Sequence, residues 1–287
     1  MTDKPDFSEL INKGYNFSIG ESISDGWKLF SKGAGSYIGF AVVVLLIYFV
    51  SAFLLGMTIP FFGPFVFPIL FIALLFGMAA LVSGLNSFSR NLLSGKESFG
   101  DFFKGFESFG QLSLHYLVYF LMMIPLLIFY FLVVMPPELY EIFTNPDSLR
   151  NFEDIGYSST PFRAGIVSVI GYFAFMFFSI YMAISYMYAT PLITDAKLGF
   201  WEAMETSRKL VGKKFFSHFG LMFIVGILAS IGTMLTCGLG MFVLYPFMGC
   251  TIFVAYNSIF GPYLNQVENQ IDSFGSEDGN FDLDRDN

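Results

Sequence analysis

The sequence predicts an all-α, polytopic helical membrane bundle: six transmembrane helices in three parallel hairpin repeats, each preceded by a cytoplasmic interfacial amphipathic helix. Three observations predict it. The 287 residues are 55% hydrophobic and only 13% charged, with a mean hydropathy of +0.63, whereas an ordinary soluble domain carries roughly 25% charged residues. Six apolar runs, each near the ~20 residues that cross a ~30 Å hydrocarbon layer, contain no Asp, Glu, Lys or Arg. Lysine and arginine fall almost wholly on alternate connections between those runs, as an ordered topology requires.

A polar N-terminal segment, residues 1–19, comes first and is expected to be loosely ordered. The membrane domain follows over 20–263. Its first amphipathic stretch, Ser22 to Phe30, puts Ile23, Trp27 and Phe30 on one helical face, with Ser22 as a candidate cap and Asp25 three residues on. The polar first 34 residues contain no uninterrupted apolar core of a signal peptide, so span one (37–57) is expected to act as the insertion signal. An uncharged link at 58–64 leads to span two (68–88). The second amphipathic stretch is capped by Ser98 with Asp101, and Phe99, Phe102, Phe103 and Phe106 form its stripe. Span three (112–134) contains Pro125, a kink that neighbouring helices can accommodate.

The one sizeable polar loop, 135–161, carries five acids and Arg150. Span four (164–189) is long enough to tilt. In the third amphipathic stretch, Gly199 to Lys214, Phe200, Ala203, Met204, Ser207 and Val211 share one side, while Glu202, Glu205, Thr206, Lys209 and Lys213 share the other. Spans five (219–236) and six (241–260) close the domain, and Gly261-Pro262 is expected to end the last helix. An acidic, disordered tail, 264–287, then follows. It holds seven acids and one arginine, a net −6 of the overall −8, so the body is near neutral and offers no nucleic-acid surface.

Thirteen lysines and arginines lie on the side of both termini, against Arg150 and Arg163 on the other. The positive-inside rule then places both termini in the cytoplasm of a multi-pass protein of the bacterial cytoplasmic (inner) membrane. The three amphipathic stretches align as Ser22-Ile23-Ser24-Asp25, Ser98-Phe99-Gly100-Asp101 and Gly199-Phe200-Trp201-Glu202, each ahead of a two-span hairpin. Leu85-Asn86-Ser87-Phe88 also matches Tyr256-Asn257-Ser258-Ile259 at the ends of spans two and six. This is the signature of an internal repeat.

Candidate functional residues are few. Trp27, Phe103 and Trp201 would sit at headgroup depth, where Arg208, Lys209, Lys213 and Lys214 would attract anionic lipid at about 1 kcal/mol each. Asn86 and Asn257 could line a polar pathway or bond between helices. His115 and His218 begin spans three and five with no HExxH, CxxC or paired carboxylate beside them, so neither a metal nor a catalytic role is expected. Cys237 and Cys250 read as small buried residues rather than a disulfide. Ala73-xxx-Gly77, Ala80-xxx-Gly84 and Gly226-xxx-Ser230 favour close helix approach. No phosphate loop, serine elbow or complete calcium loop appears, so no enzyme and no cofactor are expected.

Residues 20–263 resemble poorly characterised bacterial six-span proteins, namely the membrane domain attached to some glycerophosphodiester phosphodiesterases and the YciC-like inner-membrane proteins. The resemblance rests on Pro191-Leu192-Ile193-Thr194-Asp195-Ala196-Lys197-Leu198-Gly199-Phe200-Trp201-Glu202-Ala203-Met204-Glu205-Thr206-Ser207. The run from Gly238-Leu239-Gly240 to Tyr245-Pro246, then Ala255-Tyr256, extends it. It implies a six-span membrane domain and transfers no catalytic residue, and no phosphodiesterase activity is expected of these residues. The expected role is therefore non-enzymatic, in contact with membrane lipids, a membrane-protein partner or a second copy of the chain. The alternative is a transporter or permease subunit for a neutral or amphiphilic substrate.

Overall fold

Every regular element is helical in the residues described by the structure, a computed structural model, which are 7–62, 66–129 and 162–277. In order they are α1 (Ser8–Lys13), α2 (Ile19–Lys32), α3 (Ala34–Phe62), α4 (Val66–Leu93), a 3-10 helix (Phe99–Ser108), α5 (Phe109–Phe129), α6 (Phe162–Ser185), α7 (Ala189–Thr194), α8 (Phe200–Lys213), α9 (Phe215–Leu235) and α10 (Met241–Glu277). Six segments are long and apolar enough to cross a membrane: Ala34–Met57, Ile72–Leu93, Phe99–Phe129, Val169–Thr194, Phe215–Leu235 and Met241–Leu264. Each contains most of one expected run. The polar loop at 135–161, the end of span three and the last ten residues of the tail lie outside the described residues.

The chain divides into two compact parts, 1–115 with 184–287, and 116–183. The smaller part contains the later turns of α5, with Pro125 inside the helix, and α6 as far as Ala183. Its large apolar side chains face outward, among them Phe120, Ile128, Ile170 and Phe177. A helix that is apolar all round and exposes such residues is suited to hydrocarbon rather than water.

The larger part is organised around aromatic side chains. Phe102 is fully buried between Phe40 and Phe88, stacked with ring centroids 4.2 Å and 4.1 Å away. Two glycines let its helix in. A Cβ on Gly84 would lie 1.7 Å from the Phe102 carbonyl oxygen, and one on Gly105 would lie 2.0 Å from the Ala80 carbonyl oxygen. The Ala80-xxx-Gly84 pair thus serves close backbone approach. Gly77 and Gly226, from the other two small-residue pairs, have nothing packed against them. Similarly, Gly26 brings α2 onto α10 at Thr251, where a Cβ would meet the Thr251 hydroxyl at 2.5 Å.

Local chemistry departs from expectation at five places. The N-terminal segment contains a packed helix: Phe7 and Leu10 are buried, and Phe7 meets Phe260 edge-on at 5.3 Å. α2 begins earlier than expected, because Ser18 rather than Ser22 is its cap and accepts from the Glu21 amide. Ser22 is buried and donates to the Ser18 carbonyl, while Asp25 pairs with Lys28. Ser98 and Asp101 do form the expected capping box, yet the segment they open is 3-10 and not α. At three residues per turn it buries Phe102 and Gly105 and leaves Phe99, Phe103 and Phe106 exposed, which splits the expected stripe. Gly261-Pro262 does not end the last helix; α10 runs to Glu277 with Pro262 inside it. Cys237 is exposed, not buried, and Cys250 alone fits the expectation; both are free thiols.

Candidate functional site

α8 owes its length to good helix formers and its orientation to one buried face, made of Ala203, Met204, Thr206, Ser207, Leu210 and Val211. Gly199 supplies no capping side chain, so the Gln111 carboxamide accepts from the Phe200 amide at 2.9 Å. Ser207 fixes the helix on the α6–α7 junction, donating to the Ser185 carbonyl at 2.8 Å and accepting from the Tyr188 amide at 3.2 Å. Trp201 on the outer face is 62% exposed, and Phe216, just past the helix, is 85% exposed. Trp27 and Phe103 are exposed on α2 and the 3-10 helix.

The three basic residues of α8 and Lys214, which caps its C-terminus, separate into two pairs. Arg208 makes a bidentate contact with Glu205, and Lys209 reaches the same carboxylate at 3.3 Å. The Arg208 hydrogen bond, aided by Lys209, holds the Glu205 carboxyl below its usual range. Both cations remain exposed, so they keep a face to the surroundings. Lys213 and Lys214 hold the N-terminal strap, residues 7–18. Lys213 donates to the Ile11 carbonyl and approaches that of Asn12, while Lys214 lies 5.4 Å over the Tyr15 ring. The Tyr15 hydroxyl donates to the Leu210 carbonyl at 2.9 Å, and burial pushes its pKa up.

A second polar centre was not legible in the sequence. Arg90 Nη2 on α4 lies 3.0 Å from Asp195 Oδ2 at the end of α7. The Asp195 side chain is 3% exposed and that of Arg90 31%. Burial pushes the Asp195 carboxyl above its ordinary range, opposed by Arg90 and Lys197. Tyr256 of α10 lies beside these two charges, and its hydroxyl donates to the Pro191 carbonyl at 3.4 Å. Asn86 stands one turn before Arg90 on α4, and Asn257 follows Tyr256 on α10; both are half-buried. His115 is buried in α5, and His218 is buried in α9 beneath Phe17, which stacks on it at 4.3 Å.

Among the described residues this architecture is all-helical, with six helices suited to crossing a membrane. None of the family models, curated proteins or solved structures compared with the chain matches it.

Proposed function

We propose that this is a non-enzymatic integral protein of the bacterial inner membrane, with both termini cytoplasmic, whose interfacial helices hold anionic lipid headgroups. The observation that carries the reading is the pairing on α8 of exposed Trp201 with exposed Arg208 and Lys209. An indole at headgroup depth beside two cations suits a phospholipid surface, each cation adding about 1 kcal/mol of attraction.

The threefold repeat belongs to the same proposal, and the packing supports it. α2 crosses the last span at Gly26 and Thr251; the 3-10 helix crosses the second span at Gly105 and Ala80; α8 meets the end of the fourth at Ser207 and Ser185. Each interfacial element thus rests on the second helix of another hairpin, in cyclic order.

Lipid content of the purified protein tests the reading. The Arg208→Gln/Lys209→Gln variant, which leaves the strap contacts intact, is expected to retain less anionic phospholipid than wild type; unchanged retention rejects it. Single cysteines at Ser148 and Ser273, in a chain without Cys237 and Cys250, are expected to label from opposite faces of the membrane.

A second reading has its own observation, the ion pair of Arg90 with the enclosed Asp195 carboxylate, on a chain whose Asn86 and Asn257 are half-buried. Buried ionisable groups near spans mark substrate paths. As a permease for a neutral or amphiphilic substrate, the protein would lose flux but not folding in Asn86→Leu and Asn257→Leu.

A further inference from the structure

Among the buried side-chain polar atoms of the larger compact part that lack a hydrogen-bond partner in the protein are the Tyr188 hydroxyl and His218 Nε2. Both residues are fully buried. Their rings meet edge to face with centroids 5.5 Å apart. The surroundings are aromatic: Phe17 stacks over His218, the Tyr15 ring stands 6.0 Å from it, and Phe260 packs 5.8 Å from Tyr188. Such orphans are uncommon in folded proteins, because the desolvation of each group goes uncompensated.

The remaining contact of His218 decides what each atom needs. Its Nδ1 lies 2.9 Å from the Lys214 carbonyl oxygen, which can only accept. Nδ1 therefore carries a proton, and in the neutral ring Nε2 is left as an acceptor without a donor. The Tyr188 hydroxyl has a proton to give and nothing to receive it. Direct pairing between the two does not occur in this geometry.

We infer that Tyr188 and His218 form a buried site for one small hydrogen-bonding guest, a water molecule, which donates to His218 Nε2 and accepts from the Tyr188 hydroxyl. Buried waters characteristically serve groups of this kind, left unpaired in an otherwise closed interior. Tyr15 and Phe17 belong to the strap, so the guest sits where the strap, the α6–α7 junction and α9 converge.

Two measurements on the full chain in bilayers test the site. The first is the stability of Tyr188→Phe, which removes only the hydroxyl. An occupied site predicts that the unfolding equilibrium shifts toward the unfolded state by about fivefold, the equivalent of one hydrogen bond. An empty site predicts no loss, or a gain, since an unpaired polar group has been deleted, and that result overturns the proposal. The second is solid-state nitrogen NMR of histidine-labelled protein. The chain has 2 histidines, so the His218→Phe spectrum identifies the His218 signals by their loss. The expected spectrum has a protonated Nδ1 and a hydrogen-bonded, unprotonated Nε2 that receives polarisation from water protons. A free Nε2, a protonated Nε2, or transfer from the tyrosine hydroxyl alone would each reject the bridging water, whatever the fold stability.

Discussion

Arg90 and Asp195, 105 positions apart, meet at 3.0 Å with the carboxylate almost wholly enclosed. The pair ties the end of α4 to the end of α7, and the Tyr256 hydroxyl of α10 bonds the Pro191 carbonyl of the same short helix. Taking Arg90 away leaves a buried carboxylate without its main counter-charge. Arg90→Met is therefore expected to cost about 3 kcal/mol at neutral pH, measured by unfolding in mild detergent.

That cost is expected to depend on pH. Burial already raises the Asp195 carboxyl above its ordinary 3.8. A carboxyl raised in the folded state favours folding below its unfolded value and loses that contribution as pH climbs through its folded value. Without Arg90 the folded value rises further. The gap between Arg90→Met and wild type should widen upward from 3.8 and narrow on acidification; a flat difference across that range would contradict the assignment.

The crossing of α4 and the 3-10 helix leaves no room for a methyl group at either glycine. Gly84→Ala and Gly105→Ala are each expected to destabilise by about 2–3 kcal/mol, because a backbone carbonyl, not a flexible side chain, must yield. Gly77→Ala, with nothing near it, is the control and should fall within about 0.5 kcal/mol of wild type.

At the end of α9, Cys237 has φ 51° while the Gly238 amide closes back on the Thr233 carbonyl at 2.8 Å. This is a helix stop that glycine fits and a residue with a Cβ strains. Cys237→Gly should stabilise by about 1 kcal/mol, whereas Cys237→Ala should leave stability near wild type. Maleimide is expected to label Cys237 readily and to spare enclosed Cys250 until the protein unfolds.

The strap hangs on a few contacts at its ends and middle. Phe7→Ala removes a buried ring facing Phe260, and Phe17→Ala removes the stack on His218. Either change should speed hydrogen exchange and proteolysis around Gly14 at least tenfold, the equivalent of about 1.4 kcal/mol of local opening. Exchange in α3 and α4 should not change. A protein in which all regions loosen together would show that the strap is not a separable element.

Much of the fold was legible because six uncharged runs leave few alternatives, and composition alone excludes a water-soluble core. Local capping was partly legible. Ser98 with Asp101 behaves as its spacing implies, but Ser18 with Glu21 outcompetes Ser22 with Asp25 by opening α2 one turn earlier. The Phe99–Phe106 stripe misled because an α period and a 3-10 period agree over the first turn and then diverge. The Arg90–Asp195 pair was hidden by distance along the chain: each residue looks like an ordinary polar flank of an apolar run. The double employment of the cations on and just past α8 was equally hidden, since only a docked strap shows that Lys213 and Lys214 are engaged differently from Arg208 and Lys209.

Phe7 and Phe260 also set an order of assembly. The ribosome makes Phe7 roughly 250 residues before its partner, a delay on the order of 12–50 s at common elongation rates. Through that interval the strap has no finished surface on which to dock. Its closure is thus among the last events of biogenesis, and a seated Phe7 records that the final helix has been delivered.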